Sequence, residues 1–269
     1  MPSQLHQSHR LLVLSPHLDD AALSIGGAIA QATKNGTDVI IATVFTADPP
    51  PSTLMSPIIQ ELNAAWNLGP SPMASRRTED AAAVQVLGAR HRHGGLADAI
   101  YRKDRNGDSL YPTRQAVFSA PSPEDHIAIA LKKLLTEWIE ENQPDLVLCP
   151  LAVGRHVDHV ITSETFRTVA LDRRLNVFLY EDLPYSAGLF PPGLPDSVEA
   201  ALARTAWRVA HSERVAADFA RKVASVKKYE SQISGLFSDE RQMEWDLAQY
   251  MSSGAQDEPL CETIWAALT

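Results

Sequence analysis

Short apolar runs recur along this chain with helical stretches between them, and that alternation leaves few folds open. Residues 11–14 (Leu11-Leu12-Val13-Leu14), 38–45, 145–150 and 176–181 read as strands, with a more polar strand at 90–95. Helical patterns occupy 21–34, 76–87, 124–141 and 157–171. Asn35-Gly36 stops the first helix, Gly88 the second and Pro144 the third. Runs that are apolar throughout suit a sheet covered on both faces. Strands alternating with helices imply a mostly parallel, doubly wound sheet.

The expected class is therefore α/β: a single Rossmann-like domain, a mostly parallel sheet flanked by helices, and an active site at the C-terminal strand ends. Two long excursions, 49–75 and 97–122, follow the second and third strands. The first is rich in Pro, Ser and Asn and carries a short helical pattern at 58–66; the second turns at Asn106-Gly107. Long loops in a compact domain are usually functional, so both are expected to rim the same mouth. A segment at 206–211, a helix over 213–234 and a tail over 236–269 close the chain. All 269 residues are read as one domain, with its core over about 11–235.

Net charge is -9, from 24 basic and 33 acidic residues, and no Lys/Arg block stands out, so nucleic acid is not an expected partner. No apolar stretch reaches the roughly 18 residues that span a bilayer. The first residues carry no apolar leader pattern. Cys149 and Cys261 lie far apart and outside any CxxC pattern, which reads as two reduced thiols in a cytoplasmic protein. No GxGxxG follows the first strand; Gly26-Gly27 falls inside the first helix and is expected to permit close helix–sheet packing.

Chemistry concentrates at two strand ends. Ser15-Pro16-His17-Leu18-Asp19-Asp20 follows the first strand, and Arg155-His156-Val157-Asp158-His159 follows the fourth. Asp is almost never buried unpaired, so two adjacent Asp beside a His call for a cation. The bland reading has Asp19 and Asp20 capping the helix, which explains one Asp but not two and a His. His17 and Asp20, three apart across a strand-to-helix turn, can converge with His159 on one ion while Asp19 stays close but unbound. Three protein ligands with open positions describe a catalytic zinc site; the set also suits Fe(II). His156 then faces the substrate, with Asp158 hydrogen-bonded to it and favouring its protonated form.

These residues make the chain resemble the PIG-L/LmbE-like zinc-dependent de-N-acetylases, whose PHxDD-type and HxxH-type motifs here read Pro16-His17-Leu18-Asp19-Asp20 and His156-Val157-Asp158-His159. Arg76-Arg77-Thr78-Glu79-Asp80, Asp98-Ala99-Ile100-Tyr101-Arg102 and Tyr180-Glu181-Asp182-Leu183-Pro184-Tyr185 also look like members of that family. The resemblance implies that His17, Asp20 and His159 ligate zinc and that Asp19 is the general base. It further implies that His156, oriented by Asp158, stabilises the carbonyl oxygen, and that Arg77 and Asp98 contact sugar hydroxyls. Leu18 and Val157 stand where the family often has Pro. Gly154 stands where some members carry a Tyr, so either His156 and zinc polarise the carbonyl alone or a residue such as Arg155 or Tyr185 compensates.

The implied activity is hydrolysis of an acetyl group from an N-acetylated amino sugar or its conjugate, with a small-molecule substrate as the partner. A non-sugar amide or thiol conjugate is the alternative substrate. Two other classes compete: a phosphoesterase, which would typically use two metals, and a non-catalytic Rossmann-like binding module. Nothing in the sequence speaks to oligomeric state.

Overall fold

The computed structural model of the protein describes residues 4–49, 55–66, 72–188, 190–252, 254 and 258–269. In chain order the elements are β1 (Arg10–Ser15), α1 (Asp20–Lys34), β2 (Asp38–Phe45), α2 (Pro57–Trp66), α3 (Pro72–Val86) and β3 (Arg90–Leu96). Next come α4 (Arg114–Val117), α5 (Ile127–Asn142), β4 (Leu146–Pro150), α6 (Val157–Arg173), β5 (Val177–Tyr180) and α7 (Val198–Arg204). The last are β6 (Arg208–Ala216), α8 (Phe219–Val226), α9 (Glu230–Leu236), α10 (Glu240–Met251) and β7 (Cys261–Leu268).

The strands form one seven-stranded sheet in the order β3-β2-β1-β4-β5-β7-β6. β1 to β5 run parallel, and β7 pairs antiparallel with both β5 and β6. The expected α/β class is what the chain adopts. Successive side chains of a strand point to opposite faces, so Leu11 and Val13 enter one core layer while Leu12 and Leu14 enter the other. The first layer packs beneath α1, α3 and α8, and the second beneath α5 and α6. Cys149 is buried in the second layer, and both cysteines are free thiols.

Two expectations need correction. The helix expected over 213–234 does not form as one element: residues 213–216 belong to β6, and α8 and α9 follow as separate helices. β6 is an edge strand with a largely exposed, polar sequence, RVAHSERVA, so it lacks the apolar run that marks an interior strand. Residues 236–269 are also no tail, because they hold α10 and β7, and β7 enters the sheet between β5 and β6. Its alternating burial suits a strand with one face on the core.

Gly27 meets the expectation of close packing. A Cβ there would come within 2.6 Å of the Ala217 Cβ just past β6, and its N–H donates to Glu262 on β7 at 3.1 Å. Among the described residues no helix is long and apolar enough to cross a membrane.

The fold places the site through its strand order. β1 is flanked by β2 on one side and β4 on the other, so the chain reverses its direction of travel across the sheet between β1 and β4. The crevice beyond the carboxyl ends of two such strands is where ligands bind in open α/β sheets. His17 follows β1 and His156 follows β4. Above the crevice, α2 from the first long excursion and α4 from the second contribute to a third apolar cluster around Leu18, Ile58, Trp66, Tyr111, Val117 and Val157.

Candidate active site

The turn out of β1 is wired locally. Ser15 Oγ donates to the His17 carbonyl at 2.7 Å and accepts from the Ala21 N–H at 3.1 Å. Asp20 turns its carboxylate back on the preceding segment, and Oδ2 accepts from the His17 N–H at 2.7 Å. Asp19 occupies the cap position of α1 but makes no side-chain cap hydrogen bond. The capping account therefore fails for Asp19, whose carboxylate is left for other work.

Across the crevice, His159 meets Asp20. Its Nε2 lies 3.2 Å from Asp20 Oδ2, and the same oxygen is 3.3 Å from His17 Nδ1. The far nitrogen of each ring is taken by a carboxylate: His159 Nδ1 is 2.7 Å from Asp182 Oδ1, and His17 Nε2 is 3.0 Å from Asp158 Oδ2. With a cation held between the rings, each of those outer nitrogens would carry the proton, because an ionised carboxylate only accepts hydrogen bonds. The facing nitrogens then offer lone pairs. His159 Nε2 is buried with no hydrogen-bond partner.

Two imidazole lone pairs, one of them orphaned, around a shared carboxylate oxygen fit a divalent cation such as zinc, and the outer carboxylates fit the usual support of histidine ligands. The three expected ligands thus come together. Ligand atoms of His17, His156 and His159 also lie within 4.8 Å of one another, as do those of His17, Asp98 and Asp158.

Charge in the crevice is unevenly held. Burial pushes Asp20 up, but His159 and His17 outweigh it and keep its carboxyl well below the ordinary range. Burial pushes His159 down, yet Asp20 and Asp182 raise it to about 9. Asp19 differs: burial dominates and lifts it to about 7 against the pull of Arg76, whose Nη2 lies 3.6 Å away.

His156 stands beside these residues, its ring 4.6 Å from that of His17, but not in the protonated form expected for it. Burial and the neighbouring His17 push it well below its usual range. The Asp158 carboxylate does not reach it. That carboxylate pairs instead with Arg102 Nη1 at 2.6 Å, His17 Nε2 and the Ala99 N–H at 3.0 Å. The Asp158 backbone N–H donates to His156 Nδ1 at 3.2 Å. His156 is thus oriented by the backbone of Asp158 as a neutral ring whose Nε2–H is a donor.

The expected substrate contacts divide. Asp98 lies at the site, 3.7 Å from His17 Nε2, and lines the cavity. Arg77 does not: it points away to the Thr46 carbonyl at 2.6 Å and Asp48 at 2.8 Å. Its neighbour Arg76 is the one that lines the cavity, buried beneath the Trp66 ring at 4.7 Å. One step along a helix rotates a side chain by about 100°, which decides between adjacent arginines. Sequence reasoning also assigned no role to Asp182 or Arg102. The signals for Asp182 were its acidic side chain at the end of a strand and its place in the family-like stretch over residues 180–185.

The cavity holds about 140 Å³ and is walled on its outer side by Ile58, Leu62, Trp66, Phe118, Phe190 and Leu236. Tyr185 also lines it, and Gly154 makes room for that ring. A Cβ at Gly154 would lie 2.5 Å from Tyr185 Cγ, and Gly154 sits at φ +85°. Gly154→Ala is expected to lower stability by about 1–2 kcal/mol for the left-handed backbone alone. It should also displace Tyr185 and impair turnover, measured by urea unfolding alongside kcat.

A family model described as GlcNAc-PI de-N-acetylase (PIG-L) matches residues 12–170. The chain is similar to a solved structure described as the zinc-inhibited form of teicoplanin deacetylase, with 30% identity, a TM-score of 0.80, and 96% of this chain and 98% of that one covered. A solved deacetylase of the A40926 pseudoaglycone has 31% identity and a TM-score of 0.76, with 97% of each chain covered. The 2'-N-acetylparomamine deacetylase of Streptomyces fradiae is 32% identical over 187 residues, 66% of this chain but only 58% of that protein. The family match runs from β1 through most of α6 and so spans both halves of the crevice; the chain belongs to the GlcNAc-PI de-N-acetylase (PIG-L) family.

Proposed function

We propose that the protein is a zinc-dependent hydrolase that removes the acetyl group from an N-acetylated amino sugar borne on a larger molecule. The observation that carries this reading is the convergence of His17 Nδ1 and His159 Nε2 on Asp20 Oδ2, with Asp19 beside them and free of any capping bond.

His17, Asp20 and His159 would hold the metal, which when bound supplies Lewis acidity and brings the pKa of water toward neutrality. Asp19, lifted to about 7 by burial, accepts the proton of the attacking water and returns it to the departing amine. His156 Nε2–H donates to the carbonyl oxygen as it gains negative charge, a contribution of the kind worth about 3–4 kcal/mol per donor. Arg76 keeps Asp19 in place, and Asp98 stands where it can accept from a sugar hydroxyl. The products are acetate and a free amine.

The substrate class draws support from two sides. The relatives' names refer to teicoplanin, A40926 pseudoaglycone and 2'-N-acetylparomamine. The apolar outer wall of the cavity suits a nonpolar portion next to the sugar. A cytoplasmic location is part of the same proposal, resting on the two free thiols.

The test couples metal analysis to acetate release over a panel of N-acetylglucosaminyl conjugates. One zinc per chain with acetate released is the expected result. Two metals with phosphate-ester cleavage would favour the phosphoesterase. A zinc-replete protein inert toward every acetamido sugar would favour a binding module.

A further inference from the structure

Arg102 closes the family-like stretch over residues 98–102 without an assigned role and does not line the cavity, yet its side chain is 6% exposed and faces two buried acids. Nη1 lies 2.6 Å from Asp158 Oδ1, and Nε lies 3.0 Å from Asp125 Oδ2. Its guanidinium is held between the Phe45 ring at 5.2 Å and the Tyr111 ring at 5.4 Å. Asp125 is fixed in turn, because Oδ2 accepts from Tyr111 OH at 2.9 Å and Oδ1 from the Ile127 N–H at 3.2 Å. Nη1 also donates to the Ala97 carbonyl at 3.1 Å.

One oxygen of Asp158 thus faces Arg102, while the other faces His17 Nε2 at 3.0 Å. We infer that Arg102 is a positioning residue for the metal site. By fixing the rotation of the Asp158 carboxylate, it keeps the proton on His17 Nε2 and the lone pair of Nδ1 aimed at Asp20. This inference rests on the zinc reading above.

The geometry explains why an arginine does this. Asp158 is fully buried and needs a cation beside it. A planar guanidinium can lie against the Phe45 and Tyr111 rings and still meet two acids as ion pairs, Asp158 at Nη1 and Asp125 at Nε, so ring packing holds its direction as well as its charge. A lysine would supply the charge without the direction. Arg102 also sits just past the short helical turn Ala99–Tyr101, whose first N–H is donated to Asp158. Ala99 and Arg102 of the second excursion, with Asp125 just beyond it, are thereby tied to the Asp158 carboxylate that meets His17.

The experiment compares the parent with Arg102→Lys and Arg102→Met. Zinc affinity is read by chelator competition, thermal unfolding is followed alongside, and the His17 tautomer is read from ¹⁵N shifts of histidine-labelled protein. Arg102→Lys keeps a charge beside Asp158 and so protects the fold if Arg102→Met loses it. In the parent, His17 should show a protonated Nε2. In Arg102→Lys, the unfolding midpoint should stay near the parent's while zinc affinity falls by about 10-fold or more, within the range for lost outer partners of a ligand. The single His17 tautomer should also give way to a mixture.

A parent in which His17 Nδ1 carries the proton would overturn the inference. So would an Arg102→Lys variant with zinc affinity within twofold of the parent and unchanged His17 shifts. If His17→Ala binds zinc as tightly as the parent, the failure lies in the zinc reading itself, which the same titration reveals separately.

Discussion

Asp19→Asn is expected to lower kcat by about 10²–10⁴-fold, the usual contribution of a positioned acid–base group, while one zinc per chain stays bound. The asymmetry follows from the geometry. Asp19 is adjacent to Asp20 but makes no cap bond, and its charged neighbour is Arg76 at 3.6 Å. The substitution keeps the shape of the side chain and leaves Asp20, His17 and His159 untouched. Zinc analysis and steady-state kinetics on the same sample decide the matter. Near-parent turnover would remove Asp19 from proton transfer, and loss of zinc would make it a ligand instead.

His159→Ala should strip the metal and take activity to background. His159 is fully buried, and its two nitrogens face Asp20 and Asp182. Removing the ring strands two carboxylates in the interior, and breaking such buried pairs typically costs about 3–5 kcal/mol, so the unfolding midpoint should fall as well. A gentler companion separates metal loss from misfolding. Asp182→Asn keeps an acceptor near His159 Nδ1 but removes the charge. Asp182 Oδ2 also accepts from the Val153 N–H at 3.0 Å, and an amide oxygen turned to His159 would leave its NH2 facing that N–H. Zinc affinity should drop by about 10–100-fold. Full zinc occupancy in a folded His159→Ala protein would end the ligand assignment.

Much of this molecule was legible in the sequence because the informative patterns are local. The interior strands β1, β2, β4 and β5 announced themselves as apolar runs, since each is covered on both faces. The PHxDD-type and HxxH-type motifs fell at strand ends, and their spacing fits a single site. β6 and β7 were missed for a physical reason. β6 is a polar edge, and β7 has one face on the core and is separated from β6 by α8, α9 and α10.

The same distinction runs through the site. The residue types that converge there, His17, Asp19, Asp20, His156 and His159, were fixed by sequence. Their partners were not. Asp158 was expected to serve His156 through its carboxylate, but Arg102 and His17 hold that carboxylate because they approach it from elements 56 and 141 positions away. Arg76 rather than Arg77 enters the cavity because α3 presents that face to Trp66.

Sequence alone determined the interior strands and the two motifs whose side chains meet in the crevice, because apolar periodicity and motif spacing act between near neighbours along the chain. Only the tertiary structure decided the order of strands in the sheet, the carboxylate assigned to each histidine and the arginine that faces Asp19. Those choices depend on distances between segments far apart in sequence, where close packing selects one arrangement among many that the local pattern permits.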